Sequence, residues 1–161
     1  MGEDNKKGHL IEAPEEKAYL IGLNLSRGET AEEETQRSLE ELAELVEACG
    51  GQTLGGTYQN RPAPDPSTYI GRGKLEEASR EAESLGCTTL VFDDELSGSQ
   101  MRNIQEVSKL KVLDRTSVIL DIFANRAQSK EGKLQVELAQ YEYRLSRVQL
   151  INESMDRLGG G

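Results

Sequence analysis

Residues 88–114 read TTLVFDDELSGSQMRNIQEVSKLKVLD. The opening TTLVF is β-branched and apolar over strand length, and it predicts a buried strand. SGSQ at 97–100 has the spacing of a capping box, in which Ser97 accepts from the backbone of Gln100 and the Gln100 side chain reaches back. Met101, Ile104 and Val107 then recur at helical spacing. KVLD at 111–114 closes the unit as another short strand. Strand, capped helix and strand in immediate succession form a parallel crossover, which requires a sheet covered by helices.

Upstream the same alternation repeats twice. The run AYLIGLNL at 18–25 is a strand. TAEE at 30–33 is a second capping-box pattern, and three glutamates lie in the first turn, where the helix dipole favours negative charge. Leu39, Leu42, Ala43 and Val46 give that helix one apolar stripe, and Gly50-Gly51 ends it. QTLGGTYQN at 52–60 reads as a weaker strand. RPAPDP at 61–66 carries three prolines in five positions and must be an extended surface loop. A helix is expected from Leu75 to about Leu85. The expected fold is therefore α/β, with a small parallel four-stranded sheet flanked by helices over 17–114.

Beyond Asp114 the pattern changes. Val118, Ile119, Ile122 and Phe123 form a helical stripe, and the polar stretch NRAQSKEG ends it. Leu134, Leu138, Tyr141, Leu145, Val148, Ile151, Met155 and Leu158 then step by threes and fours, nearly a heptad seam. This predicts a long two-helix antiparallel hairpin over 115–158 with its tip at 125–133 and a much longer second arm. Tyr141, on the seam, is expected to be core, and self-association through the hairpin is a further expectation. Residues 1–16 read as a flexible leader and 159–161 as a flexible glycine end.

Composition narrows the function classes. The 161 residues hold 19 Lys+Arg against 29 Asp+Glu, a net charge of −10. The pI near 4.7 argues against nonspecific nucleic-acid binding, which neutralises phosphates. The charge is uneven, however: net −8 over residues 1–50, −4 over 51–100 and +2 over 101–161. No apolar run approaches a membrane span, and no signal core opens the chain. Cys49 and Cys87 lack metal or disulfide spacing, so a reduced cytoplasmic setting is expected. With His9 the only histidine, no His-based triad or metal site is expected, and the predicted metal set is none.

Three clusters carry candidate chemistry. Gly71, Arg72, Gly73 and Lys74 open a helix and form a candidate anion-binding turn, although Thr68 and Leu75 break the P-loop pattern. Asp93, Asp94 and Glu95 follow a strand, where open α/β sheets place ligands, and could hold Mg²⁺ in an enzyme. Arg126, Lys130 and Lys133 cluster at the tip, and Arg144 and Arg147 extend the basic strip along the long arm, a pattern suited to phosphate.

The stretches TYIGRGK (68–74), VFDDELS (91–97), VLDRT (112–116), ILDIFA (119–124) and RAQSKEGKLQVELAQ (126–140) together resemble the N-terminal domain of HflX-type GTPases over about residues 17–161. The resemblance implies an α/β subdomain followed by a helical hairpin, and a cytoplasmic, stress-related role on the large ribosomal subunit in a family that splits or rescues stalled ribosomes. It implies rRNA contact through the tip, with Arg126, Lys130 and Lys133 as the phosphate contacts. No GxxxxGK[ST] occurs in the sequence. The resemblance therefore implies no enzyme activity and no cofactor for this chain, while GTP and Mg²⁺ belong to the family's G domain, a partner of the same protein. The alternative is a regulatory protein-interaction module without direct RNA contact.

Overall fold

In the computed structural model the backbone is described for residues 16–159, and the side chains likewise except for residue 126 and 147–159. The expected leader, apart from Glu16, and Gly160 and Gly161 lie outside the described residues. So do the side chains of Arg126 and Arg147 and the seam positions from Val148 onward.

The strands are β1 (Lys17–Asn24), β2 (Gln52–Asn60), β3 (Thr89–Phe92) and β4 (Lys111–Asp114). The helices among the described residues are α1 (Ala31–Ala48), α2 (Arg72–Ser84), α3 (Gly98–Ser108), α4 (Arg115–Arg126) and α5 (Lys130–Gly159). All strands pair in parallel in the order β2-β1-β3-β4. The chain winds outward from β1 to one side, then crosses to the other.

Alternation along β1 sorts its side chains onto two faces. Tyr19 and Ile21 pack with Leu90, Phe92, Leu75, Ala78 and Ile104, a core beneath α2 and α3. Ala18 and Leu20 pack with Val91, Leu42, Val46, Val118 and Ile122, a core beneath α1 and α4. Burying these side chains is the main favourable term of the fold.

The Ser97–Gln100 capping box forms with both of its bonds. The expected Thr30 box does not: Thr30 makes no cap bond with its side chain, and its hydroxyl instead donates to Glu34, 3.4 Å away. β1 ends at Asn24, leaving Leu25 exposed, and α2 begins at Arg72 rather than Leu75. The proline loop is held by Asp65, whose carboxylate accepts from the backbone N–H of Ser67 at 2.7 Å and of Thr68 at 3.0 Å.

The expected seam of α5 is corrected by the structure. Leu134, Leu138, Tyr141 and Leu145 are exposed, Tyr141 to 61%. The half-buried face carries Val136, Ala139, Gln140, Tyr143 and Ser146 instead. α5 packs against α3 and α4 with that face, because its polar anchors reach the body from there. Gln140 donates to Asp121 on α4 at 2.8 Å, and the Tyr143 hydroxyl donates to Asp114.

Candidate nucleic-acid interface

The tip is built from the end of β4. Asp114 is fully buried and serves as the N-cap of α4. One of its oxygens accepts from the Ser117 backbone at 3.0 Å and the Ser117 hydroxyl at 2.9 Å. The other accepts from the Leu96 backbone at 3.0 Å and from Tyr143. A single carboxylate thus ties the loop after β3, the start of α4 and the body of α5 together.

Arg115 adds a second tie. Its guanidinium lies 2.6 Å from Asp93 and also pairs with Glu41 on α1. Ser38 donates to the other oxygen of Asp93 at 2.5 Å. Burial pushes the Asp93 carboxyl above its ordinary value, against the pull of Ser38 and Arg115. Asp94 receives the hydroxyl of Tyr69, a residue held in the left-handed region at φ 68°. Asp93 and Asp94 therefore serve different partners, and no group of three metal-ligating side chains forms among the described residues. Cys49 donates to the Val118 carbonyl at 3.4 Å, and burial pushes its thiol up, followed in effect by Asp121. This is not the setting of a reactive thiolate.

α4 ends at Arg126, so only 127–129 connect the two helices. The Ser129 hydroxyl accepts from the Gly132 backbone at 2.9 Å and caps α5. Lys130 and Lys133 therefore sit on the first turn of α5, three residues apart and on one side. Both are exposed, as is Arg144, and among the described residues none of the three has an ion-pair partner. Two lysines oppose the dipole at a helix N-terminus, so their placement is not explained by helix stability.

The glycine turn is arranged differently. Gly71 is the N-cap of α2, and its N–H donates to the Gln59 side chain at 2.8 Å. Arg72 faces Glu76 at 3.4 Å and Lys74 faces Glu77 at 3.8 Å. The backbone around Gly73 is open. Both cations of this turn have acidic ion-pair partners, whereas among the described residues Lys130 and Lys133 have none.

Sequence reasoning missed Asp114 and Arg115 as the residues that position the tip. Their signal was present in VLDRT, where an acid ends a buried strand directly before a helix and so stands at an N-cap.

The fold is an α/β domain built on a four-stranded parallel sheet. The chain matches the family described as "GTP-binding GTPase N-terminal" over residues 36–124 and its "GTP-binding GTPase Middle Region" over 126–161. It belongs to the HflX family of GTPases, as part of their N-terminal region. It is 47% identical to GTPase HflX of Lacrimispora saccharolytica over 94% of this chain and 36% of that protein. Identity to GTPase HflX of Escherichia coli is 36%, over 91% of this chain and 33% of that protein. The chain thus spans about a third of the length of the curated relatives it matches. Among solved structures it resembles the SsGBP and GDP complex at 28% identity and a TM-score of 0.62, covering 89% of this chain and 39% of the other. A GTP-binding protein of Sulfolobus solfataricus in complex with GDP matches at 27% identity and a TM-score of 0.59, covering 86% and 40%. Among the described residues no helix is long and apolar enough to cross a membrane.

Proposed function

We propose that this chain is a ribosome-binding module whose α4–α5 hairpin contacts phosphates of large-subunit rRNA. Lys130, Lys133 and Arg144 make the contacts, joined by Arg126 and Arg147. The observation that supports this reading is the pair of exposed lysines on the first turn of α5, free of acidic partners among the described residues. The acidic remainder keeps the chain from clinging to nucleic acid at random and confines contact to the tip. GTP and Mg²⁺ act elsewhere in the full-length GTPase, in the cytoplasm, and this chain supplies the docking. The turn at Gly71, Arg72, Gly73 and Lys74 is a secondary anion-binding candidate, because its two cations already face Glu76 and Glu77.

The test is co-sedimentation with purified large subunits. Lys130→Glu, Lys133→Glu and Arg144→Glu combined are expected to reduce binding at least tenfold. Five phosphate contacts imply a salt slope of about −3.5 to −4.5, so a twofold rise in salt weakens binding about 11- to 23-fold. Unchanged binding by the triple variant would remove the tip from the reading.

A second reading, a protein-interaction module, rests on the exposed apolar residues Leu134, Leu138, Tyr141 and Leu145. Binding through that face would tolerate salt and be lost on Leu138→Gln, so the same assay separates the two.

A further inference from the structure

β2 is an edge strand, and among the described residues nothing pairs with its outer side. Natural edges are blunted by lysine, proline, short length or bulges. β4, at the opposite edge, is four residues long and opens with Lys111. β2 is nine residues long, and QTLGGTYQN contains no charge and no proline in a chain that is 30% charged. Its one blunting device is the register shift opposite Ala18 and Tyr19, which sets Leu54 out of step. From Gly55 to Asn60 the pairing with β1 is regular, and alternate residues turn their N–H and C=O outward over about 20 Å.

A groove of about 450 Å³ runs beside this edge, with β2 as its floor and Gln36, Leu39, Glu40 and Ala43 of α1 as its wall. Gly56 keeps the floor low: a Cβ there would meet the Leu20 carbonyl at 3.1 Å. Thr53 lines the groove, and its hydroxyl oxygen is buried without a hydrogen-bond partner among the described residues. Among the described residues, the one charged residue lining the groove is acidic. Glu40 lines the groove, Glu32 accepts from Asn60 at 3.0 Å, and no Lys or Arg is among the lining residues.

We propose that β2 accepts an extended, basic segment of a partner protein as a fifth strand. The main chain of the guest pairs with Gly55–Asn60, its small apolar side chains enter the groove and its lysines or arginines meet Glu40 and Glu32. The same glutamates disfavour a second copy of this chain, because α1 would meet its own acidic face across the edge. Backbone pairing supplies affinity and the acidic wall selects the sign of the guest.

The experiment titrates the ¹⁵N-labelled full chain with a nine-residue peptide of alternating Lys and Val. Controls are a Glu–Val peptide and a Lys–Val peptide N-methylated at every residue. The Lys–Val peptide is expected to move the amide signals of 55–60 and slow exchange of alternate amides there at least tenfold, while both controls leave them unchanged. Glu40→Lys should weaken the Lys–Val peptide at least threefold. Equal effects from the N-methylated peptide, or shifts lying away from β2, would overturn the proposal. So would protection already present without peptide, whether it is released by deleting residues 2–13 (a segment of the same chain) or rises with chain concentration (a second copy).

Discussion

Asp114 carries more of the architecture than any other polar residue described. It is fully buried, and it takes four hydrogen bonds from three separate segments. Replacing it with alanine removes the cap of α4 and leaves the Leu96 N–H buried without its acceptor. Asp114→Ala is expected to cost about 2–4 kcal/mol in urea unfolding, combining a lost cap with an unsatisfied donor. Tyr143→Phe removes the Asp114 link to α5 and keeps the cap, and should cost about 1 kcal/mol. If Tyr143→Phe proved as damaging as Asp114→Ala, the carboxylate would not be the hub. The motif VLDRT made an acid at the strand end and its cap to Ser117 visible, yet Leu96 and Tyr143, which also meet it, lie 18 and 29 positions away and share no local pattern.

At the scale of the element, α5 shows how a strong pattern can point to the wrong side. Leu134, Leu138, Tyr141 and Leu145 are the best apolar stripe on the helix, and they face solvent. The face that packs is held by Gln140 and Tyr143, polar residues whose partners Asp121 and Asp114 stand on other elements. Leu134→Gln and Leu138→Gln are therefore expected to change the stability of this chain by no more than about 0.5 kcal/mol, as for exposed positions. Val136→Gln, on the half-buried face, should cost about 1 kcal/mol or more. The reverse ranking in thermal or urea unfolding would restore the leucines to the packed seam. The Thr30 cap failed for a related reason: its Ser/Thr-x-x-Glu spacing was correct, but the hydroxyl turned to Glu34 instead of the backbone.

For the whole molecule, acid is the informative perturbation. Asp65 is held below its ordinary value by the backbone N–H groups of Ser67 and Thr68. Glu16 is also held low: burial would raise it, but hydrogen bonds from Lys111 and Thr89 and the Lys111 charge outweigh that. A carboxyl whose folded value is depressed contributes stability above its unfolded value of about 4, and the contribution is lost as pH falls through the folded one. Asp93, raised mainly by burial, runs the other way: its contribution is present below the unfolded value and lost as pH rises through the folded one. Loss of the Asp65 and Glu16 contributions is therefore expected to lower the melting temperature as pH drops below about 4. Asp65→Asn should flatten that acid limb, and an unaltered limb would remove Asp65 as a cause. The sequence alone determined the alternation of strands and helices, the Ser97 cap and the excess of cations after residue 101, because periodicity, spacing and composition act locally along the chain. Among the described residues, the strand order, the open edge at β2, the face α5 turns to the body and the freedom of Lys130 and Lys133 from acidic partners were decided only in the tertiary structure. Each depends on which distant groups meet, and a buried carboxylate or an unpaired edge exists only once the sheet has assembled around it.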